Sequence, residues 1–376
     1  MAVTPFPFVA SQILTADELN NISLLPVSAK TASYTLAASD AGTRVQMNNA
    51  GATTITVNNS LFSAGQSVWI QNIGAGTCTI TAGTATVTTA GSLALAQWGG
   101  GTLYFTSASA AIFFSGGGLV YGTATGLNSS FPTPPTGYSG LIATADSTLT
   151  VTKAGVFEVL CFAGGGGGAN AMSFDPSGGG GGGAGGKVLA TVYLAATTYS
   201  VIVGAGGAGG TTNNEFGSQG LATGFTNVLA AVGGGGGLGN EAGNGRIATT
   251  FSKGGCGGGG ARTASTGGTA ILSQGFAGGT SSGTSIGGAG GGGVAAVGQA
   301  NSTTTGGAGG TGFDVSSFIG GSTLTKGVGG NGGNQSGNAA GAAGAANSGN
   351  GGGGGAGTTG TGGAGGSGIF YIRWKV

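Results

Sequence analysis

The sequence predicts a mainly β N-terminal module, a sandwich or small barrel, followed by an array of polyglycine-II helices with a small β-sheet at its base and almost no α-helix. Three observations carry this. Short alternating apolar and polar runs separated by Asn and Gly fill residues 30–115. Glycine then takes over: 17 of the 94 glycines fall in residues 1–150, leaving 94 − 17 = 77 in the remaining 226. Finally, those glycine runs are diluted by Ala and little else, as at residues 164–168, 178–186, 204–210, 257–260, 290–293 and 351–355.

Ordering so much glycine is entropically expensive, which makes disorder the default reading. Disordered chains, however, combine low hydrophobicity with high net charge. Here Lys+Arg number 10 and Asp+Glu 9, mean hydropathy is +0.28, and Phe, Val, Ile and Leu punctuate the runs. Collagen needs a strict Gly-X-Y triplet and abundant proline, and the chain has neither. An extended helix of three residues per turn makes no internal hydrogen bonds, so its N–H and C=O groups must pair with neighbouring runs. Only Gly, or Ala at intervals, lets backbones approach that closely.

In chain order, residues 1–29 form a docking segment. Its helix is expected at Ile13–Ile22, where Thr15 and Glu18 make a capping box. A lone short helix is marginal in water and needs a surface to lie on, for which Phe6, Phe8, Leu14 and Leu19 supply the apolar contacts. Residues 30–117 read as one β-module with strands near Tyr34, Arg44, Thr53, Ser67, Thr77, Ala85, Leu93, Leu103 and Ala111. Gly116–Gly118 and the Pro-bearing Phe131–Gly137 mark a linker over 118–137. The glycine-rich domain occupies 138–376, opening with strands at Thr148–Thr152 and Val156–Ala163. Lys187–Leu194 and Tyr199–Val203 read as a hairpin, and Ile369–Val376 as a strand closing the sheet beside Val156 and Tyr199.

Composition excludes several classes. A net charge of +1 gives no electrostatic case for nucleic acid or an anionic membrane, and no apolar run reaches the 18 residues a membrane helix needs. With no histidine there is no Ser-His-Asp or Cys-His pair, and Cys78, Cys161 and Cys256 read as small buried side chains. Catalytic and metal-binding residues, and cofactors, are therefore expected to be none. G-x-G-x-x-G matches arise by chance at this glycine density and lack a strand and helix around them. The N-terminus lacks the basic stretch and apolar core of a signal peptide, which points to synthesis and retention in a cytoplasm.

A glycine core offers a partner only backbone, so recognition is assigned to the interruptions between runs, where aromatic and Arg side chains supply hot spots. The candidates are Met172, Phe174, Phe216, Arg246, Arg262, Phe276, Phe313 and Phe318. Runs that alternate in direction would send successive interruptions to opposite ends, so only every second loop can share one face.

The text also resembles known families. Leu36–Gly42, the centre Gly65–Ile80 and the closing Phe113–Phe114 resemble a module of bacteriophage tail fibres, as does the opening QILTADELN. The pattern AGGGGG, YSVIVGAGGAGG and the terminal GGSGIFYIRW over 137–376 resembles the glycine-rich, polyglycine-II domains of phage tail-fibre adhesins. The resemblance implies a homotrimeric virion protein made in the host cytoplasm. Its N-terminus would hold another virion protein, and its distal loops would touch a bacterial surface receptor, a glycan or an outer-surface protein. A capsid fibre or decoration protein is the alternative. An ice-binding or purely structural role would need a regular, flat Thr-rich face, which the sequence does not reveal.

Overall fold

The computed structural model describes residues 26–89, 91–116, 121–171, 176–212, 215–239, 252–262, 265–281 and 286–376. The expected helix at 13–22, with Phe6, Phe8, Leu14 and Leu19, lies outside them. The chain divides into two compact units, Met1–Val120 and Tyr121–Val376. The named helical elements among the described residues are a 3-10 turn at Ala38–Asp40 and one four-residue turn, α1 (Ser316–Ile319).

The first unit contains β1 (Val27–Lys30), β2 (Tyr34–Thr35), β3 (Arg44–Met47), β4 (Thr53–Val57), β5 (Ser67–Asn72), β6 (Cys78–Ala82), β7 (Thr86–Thr88), β8 (Ala94–Leu95), β9 (Gly100–Ser107) and β10 (Ala110–Ser115). They form two sheets, ordered β1-β3-β5-β9-β10-β7 and β2-β4-β6-β8. Val45, Met47, Ile55, Ile70, Ile80 and Phe105 are buried together in one core. Phe62 stacks on Phe105 with ring centroids 4.2 Å apart.

The strand positions match the alternation in the sequence, but the winding is not that of hairpins. Through β6, successive strands switch sheets, and β1, β3 and β5 pair in parallel, as do β2, β4 and β6. The result is a short solenoid closed by the antiparallel β9 and β10. The Asn and Gly residues between strands are corners that stack on one another. A Cβ on Gly74 would lie 2.2 Å from the Asn49 nitrogen, and one on Gly76 2.0 Å from the Gly51 oxygen. The buried Asn72 carboxamide ties the corner by donating to the Gly76 and Leu95 carbonyls. Parallel stacking also aligns Thr54 with Thr79, and Thr35 with Thr56 and Thr81, on one outward face, so a small Thr-lined face does exist.

The second unit adds β11 (Thr123–Thr125), β12 (Ser129–Ser130), β13 (Tyr138–Ala143), β14 (Ser147–Lys153), β15 (Gly155–Phe162), β16 (Lys187–Leu194), β17 (Thr198–Ile202), β18 (Thr223–Phe225), β19 (Leu229–Ala231), β20 (Phe313–Asp314), β21 (Thr325–Lys326) and β22 (Ile369–Lys375). Two five-stranded sheets, β12-β13-β22-β15-β16 and β11-β14-β17-β18-β19, enclose Leu149, Val159, Cys161, Val201, Phe370 and Ile372.

Three expectations are corrected here. Residues 121–137 are not a linker: β11 and β12 belong to these sheets, and Phe131 is buried against Tyr371 and Phe318. β16 and β17 form no hairpin, since β16 pairs with β15 and β17 with β14. β22 lies between β13 and β15, and does not pair with β17. For β16 and β17, long-range pairing overrode sequence adjacency.

Outside these strands the glycine runs bond to one another with a three-residue period. The amides of Gly164, Gly167 and Asn170 donate to Leu221, Ser218 and Glu215. Those of Gly165, Gly168 and Ala171 donate to Gly366, Gly363 and Gly360, and those of Gly166 and Ala169 to Gly183 and Gly180. Carbonyls of the same run accept from Gly234 and Gly237, from Gly207 and Gly210, and from Gly352 and Gly355. Three neighbours accept from this run and three others donate to it, so it is surrounded by six. Every backbone N–H and C=O of residues 164–169 is paired without a strand or an α-helix, as burial demands.

Burial follows the same period and explains the spelling of each run. In the interior, 351–356 are all buried, and Ala is the only departure from Gly. In 204–210 the exposed positions are Ala205 and Ala208, and in 328–334 they are Asn331 and Asn334. The most exposed run, AAGAAGAA at 339–346, keeps only Gly341 and Gly344 half-buried. The number of glycines per triplet thus records how many sides of a run are covered.

Candidate functional site

Run direction defines two ends. The chain leaves β15 into 163–171, and 177–186 returns antiparallel to it into β16, so one end carries the sheets. Runs 204–210, 232–239 and 350–356 travel parallel to the first, whereas 215–221 and 360–368 travel against it. Run 286–293 is parallel to 177–186 and so also returns towards the sheets. The described residues 211–212 and 215, 261–262 and 265, 281 and 286, 301–305, 334–339 and 356–360 therefore gather at the end opposite the sheets.

This loop end is rich in hydroxyl and amide groups and poor in charge. Thr211, Thr212, Thr303, Thr304, Thr305, Asn338 and Thr359 are exposed there. Glu215 and Arg262 are its ionisable residues among the described ones. The Glu215 carboxylate accepts from the backbone amides of Thr211 and Thr212 at 2.7 and 2.9 Å, and from both hydroxyls. The Thr212 and Thr211 amide bonds hold it below the usual carboxylate range. Asn338, at φ 46°, accepts from the Thr358 amide, so one loop pins the next. Asn334 and Asn331 accept from the Gly306 and Gly309 amides, extending the lattice with side chains where no further run covers it.

The sequence-predicted site residues divide between the ends. Phe216 and Arg262, both half-buried, stand at the loop end. Phe276 stands towards the sheets, where its amide donates to Gly293, and is exposed, as are Ile271 and Leu272. Phe313 and Phe318 are corrected: they are packing residues at the sheet end, not members of a common recognition surface. Phe318 is buried against Phe131 and under the Arg373 guanidinium, and Phe313 packs on Phe162 and Lys187. Phe318 is buried beside the sheet and Phe313 half-buried, which removes more of their apolar surface from water than a loop tip could. Met172, Phe174 and Arg246 lie outside the described residues. Sequence reasoning missed the Thr, Ser and Asn strings at 302–305, 336–338 and 358–359, whose signal was their recurrence at every second interruption.

The sheet end has a cleft of about 290 Å³ lined by Leu160, Leu189, Thr191, Phe313 and Phe318, with Glu158 and Arg373 on its wall. The charges are spent internally. Arg373 pairs with Glu158 at 2.7 Å and donates to the Ser317 and Phe318 carbonyls. The thiols of Cys161 and Cys256 are pushed up to about 12 by burial, which leaves them protonated at neutral pH. Among the described residues no group of three His, Cys, Asp or Glu could hold a metal ion, and no helix is long and apolar enough to cross a membrane.

The second unit is thus of a definite class: glycine runs bonded to one another between two sheets and a set of polar loops. The family model for the glycine-rich domain matches residues 142–375, and the chain belongs to that family. No curated protein matches the chain.

Proposed function

We propose that the chain is a bacteriophage tail-fibre adhesin whose loop end contacts the receptor on a bacterial surface. The glycine runs are read as left-handed polyglycine-II helices. The N-terminal residues, through Phe6, Phe8, Leu14 and Leu19, are assigned to attachment to another virion protein, and the subunit to a homotrimer. The observation that carries the reading is the gathering of polar loops at one end of a lattice whose backbone groups are already paired. Such a lattice holds loops in fixed relation at little further ordering cost on binding. Phe216 and Arg262, with Met172, Phe174 and Arg246, are the candidate contact residues.

Competition for adsorption by the purified full chain tests this. Replacing 303–305 and 336–338 with Gly-Ser should abolish competition, whereas replacing the sheet-end residues 271–272 should not. A folded parent chain that neither binds cells nor blocks adsorption would move the protein to the decoration or purely structural class.

A further inference from the structure

Among the described residues, one long edge strand of the second unit is left uncovered. Of the four edges of its two five-stranded sheets, β11, β12 and β19 have only two or three residues. β19 is also capped by the Gln274 carboxamide, which accepts from the Val232 amide and donates to the Ala230 carbonyl. β16, the fourth edge, runs for eight residues. Its stretch Val188–Leu194 carries no charge and no proline, the devices that keep an edge from pairing.

The backbone of β16 has a definite polarity. Ala163 donates to Gly186 on the β15 side, whereas Lys187, the next residue, donates away from β15 to the Gln274 carbonyl. In an antiparallel pair a residue's N–H and C=O point the same way, and the direction alternates along the strand. The register to β15 is unbroken, so Val188, Ala190 and Val192 bond inward while Leu189, Thr191 and Tyr193 present both groups outward. Among the described residues nothing pairs with these outward groups. The three side chains share one face, with Leu189 56% and Tyr193 70% exposed and Thr191 exposed between them.

Symmetry and charge identify the occupant. At one end of this window Lys187 is bonded to Gln274, and at the other β16 stops at Leu194, where the Tyr199 hydroxyl accepts from the Ala195 amide. What lies between is a row of outward backbone groups centred on Thr191, which only another extended backbone can match. A second β16, antiparallel about a two-fold axis at Thr191, matches it group for group. Thr191 faces Thr191 of the partner subunit, each Leu189 faces the partner's Tyr193, and about six hydrogen bonds form. The exposed Leu and Tyr side chains then meet as cross-strand pairs. The two Lys187 ammonium groups stand about 27 Å apart, beyond the screening length, so the pairing brings no like charges together.

We propose that β16 is the contact through which two copies of this chain associate, edge to edge and antiparallel, joining their five-stranded sheets into one. The pairing does not depend on the adhesin reading. In a homotrimer it joins subunits of neighbouring trimers.

Sedimentation and amide exchange of the full chain test it together. Thr191→Pro removes an N–H that makes no bond within the chain, at an outward position where an edge strand tolerates proline. Leu189→Lys/Tyr193→Lys places charges in the contact and leaves every backbone group in place. At equal concentration the parent should have at least twice the mass of either variant. Its Leu189, Thr191 and Tyr193 amides should exchange several-fold more slowly than the same outward amides in a variant. Slow exchange at Val188, Ala190 and Val192 in all three chains shows that β16 stays paired with β15. Equal masses in parent and variants overturn the proposal, whether or not the outward amides are protected. Fast exchange of those amides in the parent overturns it as well.

Discussion

Replacing Gly182 by Ala adds a single methyl group to the lattice and should cost far more than a methyl usually does. Its Cβ would lie 2.1 Å from the Gly166 carbonyl oxygen, and relief to 3.0 Å requires 3.0 − 2.1 = 0.9 Å of separation. Run 163–171 is tied to 177–186 by the bonds Ala163 to Gly186, Gly166 to Gly183 and Ala169 to Gly180, at 3.0, 2.8 and 2.9 Å. Adding the same shift stretches each to about 3.7–3.9 Å, outside the hydrogen-bonding range. Three lost bonds at about 1 kcal/mol each give about 3 kcal/mol before any charge for leaving buried groups unpaired. For a unit this large that lowers Tm by roughly 6–12 °C. Gly353→Ala is the control in a neighbouring run. Its Cβ comes no closer than 3.0 Å to Ala342, and the stiffer unfolded chain offsets part of any strain. Calorimetry of both variants decides. A Gly182→Ala protein that melts with the parent, or a Gly353→Ala protein that loses as much as Gly182→Ala, refutes the close-packed backbone.

Other outcomes follow from single contacts. The folded Glu215 titrates below its ordinary value near 4.5, so its contribution to loop order is full above that pH and is lost as pH falls through the lower folded value. Amide exchange at Thr211 and Thr212 should accelerate in that window, and Glu215→Gln should remove the pH dependence. Cys161 and Cys256, protonated and buried, should resist thiol reagents at pH 8 until the chain is denatured, so fast native labelling of either contradicts their placement. Arg373→Met leaves Glu158 partly buried without its cation and two carbonyls without a donor, a cost of about 2 kcal/mol by urea denaturation. A change under about 0.5 kcal/mol would show that the ion pair is solvent-screened.

Strand positions in the first unit were legible because alternation of period two survives any winding: Val45, Ile55, Ile70 and Ile80 face inward whether their strands pair in parallel or antiparallel. The winding itself was not, since Asn49, Gly51, Gly74 and Gly76 make the same turn signal at a hairpin and at a solenoid corner. The lattice was legible in the Gly/Ala restriction of the runs. The loop end was only half legible. Alternating direction predicted that interruptions would divide between two ends, but nothing in the letters around Phe313 and Phe318 says that they pack beside Phe131, Phe162 and Arg373, residues up to 187 positions away by number (318 − 131 = 187). Long-range packing decides which aromatic residues are recognition groups and which are core.

The most direct test of the account is amide hydrogen exchange across the glycine runs of the full chain. If residues 178–186 are bonded on all sides, their amides exchange only through opening of the whole unit, although the segment is nearly pure glycine. The account predicts protection over hours there, with rapid exchange at the exposed Thr303, Thr304 and Ser336. Unprotected, random-coil exchange rates in 178–186 would contradict it.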